Sequence, residues 1–136
     1  MYIISDSIQF RNNHVKALTL LHDNTIFELT GADKIQRDFI PGGHFQLLFK
    51  NRGEIFGGFI KISENELLLD WNVKGFQRPD EIHTLLQISL ALQQHVYTLS
   101  IHHSNIMNED SANAKRKAWM EILQAIKLKY ESEKQL

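Results

Sequence analysis

Pro79 to Leu92 reads PDEIHTLLQISLAL, and the reading of this stretch decides the fold. A proline followed by two carboxylates is a helix-start signature. The ring fixes φ, and Asp80 and Glu81 complement the positive end of the helix dipole. Behind them Ile82, Leu85, Leu86, Ile88, Leu90, Ala91 and Leu92 are apolar on nearly every side. That pattern predicts a helix packed on a sheet and covered by something else.

Working outward, the preceding segments alternate in the manner of strands. Phe45, Leu47 and Phe49 form one such run, and Asn51 with Gly53 supplies a tight turn after it. Ile55–Ile62 is apolar on both faces, as a central strand should be, and Gly57 and Gly58 mark a bulge or a close backbone approach. Leu67, Leu69, Trp71 and Val73 complete a meander. Beyond the helix, Val96–His102 returns as a strand with Thr98, Ser100 and His102 along it. A final helix starts near Glu109 and Asp110, with Trp119, Ile122, Leu123, Ile126 and Tyr130 as its apolar stripe.

The N-terminal third carries a strand over Tyr2–Phe10 and a short helix over His14–His22. Thr30-Gly31-Ala32-Asp33 resembles a capping box, which predicts a second helix ending before Pro41. Pro41-Gly42-Gly43 then reads as a turn delivering His44 to the mouth of the next strand. The expected order is β-α-α-β-β-β-α-β-α: an α+β two-layer sandwich with an antiparallel meander, forming a single globular domain over residues 1–136.

The chain has 136 residues, 43% of them hydrophobic and 23% charged, values ordinary for a globular protein. Its formal net charge of −1 argues against bulk attraction to nucleic acid or anionic membrane. It has no cysteine, so disulfides, thiolate nucleophiles, iron–sulfur clusters and cysteine zinc sites are excluded. No run approaches the roughly 20 apolar residues of a membrane span, and the N-terminus lacks a signal-peptide pattern. A cytoplasmic protein of bacterial or phage type is expected.

Few residues point to chemistry. The chain has seven histidines, but His102 and His103 are neighbours on a strand and so point to opposite faces. His14 and His22, eight apart on a helix, would be separated by about 12 Å. No metal is therefore expected. Ser100, His102 and Asp70 could assemble a triad only if their strands met, and no nucleophile motif surrounds them. In Lys115-Arg116-Lys117 the charges sweep around a helix as a solvated flank, with the Lys115 stem lying along the apolar stripe.

The order of elements is similar to the GNAT acyltransferase fold. There a strand comparable to Leu67–Val73 leads through a glycine loop into a helix whose amides hold the CoA pyrophosphate. The resemblance implies acetyl-CoA or another acyl-CoA as cofactor. It would put Gln77 and Arg78 at its phosphates, and Asp70 or Asn72 toward substrate. The corresponding junction, VKGFQRPDEIH, lacks the glycines, and Pro79, Asp80 and Glu81 oppose an anion there. A GNAT-like acyl-CoA-binding domain or acyltransferase is thus the alternative. The first reading is a protein-interaction module of inhibitor, immunity or regulatory-adaptor type, without cofactor or catalytic centre. Arg52, Thr98, Ser100 and His102 would face its protein partner. A small-ligand sensor with a pocket between helix and sheet is a third.

Overall fold

The computed structural model describes residues 1–11 and 19–133. One seven-stranded antiparallel sheet dominates it. The strands are β1 (Tyr2–Arg11), β2 (Lys34–Arg37), β3 (His44–Phe49), β4 (Gly53–Ile62), β5 (Glu66–Gly75), β6 (Glu81–Gln93) and β7 (Val96–Ile106). Their order across the sheet is β1-β7-β6-β5-β4-β3-β2. A five-residue helix, α1 (Thr25–Leu29), precedes β2, and a 25-residue helix, α2 (Glu109–Glu133), closes the chain. The class is α+β, as expected, but the order is β-α-β-β-β-β-β-β-α.

The largest correction falls on Pro79–Leu92, which is a strand and not a helix. From Leu86 to Leu90 apolar residues alternate with Gln87 and Ser89, the period of a strand. Thr84, Leu86, Ile88 and Leu90 are buried on the inner face, while Leu85, Gln87 and Ser89 lie on the outer one. β6 pairs with β5 on one side and β7 on the other, so its long apolar run is that of a strand with both edges occupied. A register shift opposite Asn72, with His83 at φ 60°, breaks the alternation near Ile82 and disguises it. Pro79 and Asp80 belong to a turn, in which the Asp80 carboxylate accepts from the Gly75 N–H at 3.4 Å.

The second correction concerns Thr30–Phe39. Thr30 ends a helix instead of starting one: its hydroxyl donates to the Phe27 carbonyl at the close of α1. Lys34–Arg37 then forms the edge strand β2. Ile40-Pro41-Gly42-Gly43 is a tight turn between β2 and β3, with Gly43 N–H on the Ile40 carbonyl at 2.8 Å and Gly42 at φ 85°. The turn expected there is present, but it joins two strands. Of the expected helix His14–His22, residues 14–18 lie outside the described residues; Thr19–His22 is a single turn that buries Leu20 and Leu21.

The meander and the last helix match the expectation. At Gly57 an added Cβ would stand 1.7 Å from the Asp70 carbonyl, so β4 and β5 approach as closely as only glycine permits. Trp119, Ile122, Leu123, Ile126 and Tyr130 are all buried against the inner face of the sheet. α2 lies closest along β1 and β7. Its far end is pinned by a stack in which Phe10 sits between Tyr97 (5.4 Å) and Tyr130 (5.5 Å). Among the described residues no helix is long and apolar enough to cross a membrane.

Candidate ligand cavity

Because α2 hugs β1 and β7, its first half stands off from β3, β4 and β5. Ala114 and Ala118 face that gap and are too small to fill it. The result is a cavity of about 280 Å³ between helix and sheet, walled by Phe49, Ile55, Trp71, Val73, Trp119 and Ile122. It is open to solvent.

Two turns form the mouth. In the β3–β4 turn, Asn51 takes φ 62° and exposes Arg52. In the β5–β6 turn, Gly75, Phe76 and Gln77 are all left-handed, at φ 90°, 61° and 55°. That conformation costs a residue with a side chain of the order of 1–3 kcal/mol. The Phe76 N–H bonds to the Arg52 carbonyl at 2.8 Å and ties the two turns together. The Phe76 ring meets Phe49 edge-on at 5.2 Å. The guanidinium carbons of Arg52 and Arg78 lie 5.5 and 5.9 Å from its centroid.

Beneath the cavity runs a buried polar chain. Trp119 Nε1–H donates to His103 Nδ1 at 3.1 Å, which assigns the His103 proton to Nε2. Nε2–H then donates to Thr84 Oγ1 at 2.8 Å, and that hydroxyl donates to the Trp71 carbonyl. Thr84 and His103 are wholly inaccessible to solvent. Desolvation lowers the His103 pKa from 6.5 to about 3, and the charges of Lys115 and His102 add to the effect. The ring is therefore neutral and has no nitrogen to spare. A general acid or base needs one.

Lys115 is the other buried group on the wall, 6% exposed. It pairs with Glu81 at the head of β6, and Ser111 Oγ donates to the same carboxylate. Burial lowers the Lys115 pKa; the Glu81 bond opposes this, and the nearby charge of Arg78 reinforces it. Glu81 thus holds a buried cation in place, a role that the helix-start reading did not foresee.

The residues singled out from sequence separate into two groups. Thr98, Ser100 and His102 share the outer face of β7, beside Ser5, Ser7 and Gln9 of β1; His102 Nδ1 bonds Ser5 Oγ at 2.8 Å. Arg52 joins Arg78 at the cavity mouth instead, while Gln77 is exposed in the turn. Since no helix follows Gln77 and Arg78, the amides that would hold a CoA pyrophosphate in the GNAT arrangement are not there. Asp70 bonds His83 at 3.3 Å, and β6 separates it from Ser100 and His102 by about 10 Å of sheet, so the three do not assemble. Among the described residues no group of three His, Asp or Glu side chains could hold a metal ion. Phe76 was missed; its signal was a Gly-Phe-Gln run where two strands must reverse.

No family model and no curated protein matches the sequence. Solved structures do match. The Aha1 dimer from Colwellia psychrerythraea is 18% identical, with 96% of this chain and 97% of that one covered at a TM-score of 0.75. The chain has the fold of that protein. CalU16 from Micromonospora echinospora is 15% identical over 90% of this chain and 71% of that one, with a TM-score of 0.68. An HSP90 activator from Plasmodium falciparum is 18% identical over 82% and 78%, with a TM-score of 0.59. The same fold thus occurs in these proteins at 15–18% identity, and here it encloses the cavity under α2.

Proposed function

We propose that this chain is a non-catalytic binding module whose ligand is a small molecule held between α2 and the sheet. The observation that carries this reading is the cavity itself: two tryptophans and a phenylalanine wall an open space that a well-packed core would have closed. The polar groups beside it support binding over catalysis. His103, Thr84 and Lys115 are each engaged by an internal partner, and none is free to move a proton. In a bacterial cytoplasm such a module would act as a sensor or carrier.

The test is a titration with 5-dimethylaminonaphthalene-1-sulfonamide, a dye of one ring system that fluoresces in apolar sites. Trp71 and Trp119 line the cavity, so their emission should fall by energy transfer as the dye fills it, with a stoichiometry of one. Absence of saturable binding would remove the reading.

A second reading, a protein-interaction module of adaptor, inhibitor or immunity type, rests on the outer face of the sheet. Ser5, Ser7, Gln9, Gln87, Ser89, Thr98, Ser100 and His102 form a polar surface there. Co-purification of one protein lost on Thr98→Lys and Ser100→Lys would favour it, since these changes put charge on that face and leave the cavity intact.

A further inference from the structure

We infer that the cavity ligand carries an anionic group, and that Arg52 and Arg78 hold it across the ring of Phe76; this rests on the cavity being the ligand site. The two arginines come from different turns, yet both guanidinium groups are drawn to one aromatic ring. Neither forms an ion pair among the described residues. Two like charges beside one ring repel each other, and an oxyanion between them would relieve that repulsion. A guanidinium fork matches a carboxylate, sulfonate or phosphate edge with two parallel bonds.

The other charges on the wall fix which end of the ligand goes where. Lys115 is neutralised by Glu81 and is not available. Glu121 lies on the rim formed by α2, where it would repel an anion. The anionic group therefore belongs on the side of the two turns, and the apolar body lies inward against Trp71 and Trp119. A cavity of about 280 Å³ equals about nine waters at liquid density. That accommodates a single ring system or a medium-length alkyl chain. The ligand class is a small oxyanion amphiphile.

The experiment uses the full chain and two probes of equal length, decanoate and 1-decanol, titrated at 0.15 M salt with tryptophan emission as readout. The parent should bind decanoate at least tenfold tighter than decanol. Arg52→Gln with Arg78→Gln should reduce decanoate to the affinity of decanol and leave decanol unchanged. Both side chains are exposed, so an unaltered melting temperature will certify the fold; each single variant should show an intermediate loss. Equal binding of acid and alcohol by the parent would overturn the inference and leave the cavity reading standing, as would a preference for decanoate that survives both substitutions. If neither probe binds, the cavity reading falls, and the inference with it.

Discussion

His102 and His103 are adjacent on β7 and both bond a hydroxyl, yet they do opposite things. His102 faces out and meets Ser5 in solvent; His103 faces in and links Thr84 to Trp119 in a site closed to water. One hydrogen bond replaces contacts that water would otherwise supply, and the other replaces contacts that nothing else could supply. The difference teaches where this fold is vulnerable. A buried donor stripped of its partner costs about 1–3 kcal/mol, whereas an exposed pair is worth a few tenths.

The largest effect is expected from removing the element that closes the inner face. Truncation after Asn108 deletes Trp119, Ile122, Leu123, Ile126 and Tyr130, each contributing about 1.5–3 kcal/mol when buried. Their total is comparable with the roughly 5–15 kcal/mol stability of a whole domain. Loss of cooperative unfolding is expected. A truncated chain melting near the parent temperature would show that α2 is an appendage.

A smaller effect is expected from Glu81→Ala, which leaves Lys115 buried without its counter-charge at a cost of about 3–5 kcal/mol. Combining it with Lys115→Met should recover most of the loss, as urea denaturation can measure.

The two histidines should differ in their response to pH. The folded protein keeps His103 unprotonated down to about pH 3, while an unfolded chain takes up the proton near 6.5. The folded pKa is depressed, so the stability it represents is present above pH 6.5 and lost on acidification below it. The loss is about 1.4 kcal/mol per pH unit until the folded pKa is reached. Between pH 6.5 and 4.5 the parent should lose about 2–3 kcal/mol more than His103→Gln, whose amide can still accept from Trp119 and donate to Thr84. His102→Ala should change stability by less than about 0.5 kcal/mol at any pH.

The same contrast between faces explains what could be read in advance. Alternation along β3, β5 and β7 and the stripe on α2 are direct consequences of burial on one side, and each was visible. β6 was not, although Leu86 to Leu90 alternates, because Pro79-Asp80-Glu81 imitates a helix start and the bulge at His83 breaks the period ahead of Thr84. The turn into β7 gave no warning either: Gln94 and His95 both take positive φ, 51° and 68°, without the Asn or Gly that usually announces it. With β6 taken as a helix, Thr84 could not be placed against His103. The cavity was equally hidden. Its aromatic walls are indistinguishable from core in a sequence, and its existence depends on where α2 parts from β4 and β5.

If the space under α2 is a binding site, filling it by one substitution should abolish binding. Ala118→Phe places a ring into the cavity without disturbing the buried chain from Trp119 to Trp71. The variant should melt at or above the parent temperature, while its melting temperature no longer rises with saturating decanoate. At 100 times the dissociation constant the parent should gain about 2.7 kcal/mol, several degrees in a chain of this size. An undiminished rise in the filled variant would put the ligand elsewhere on the molecule, outside the space under α2.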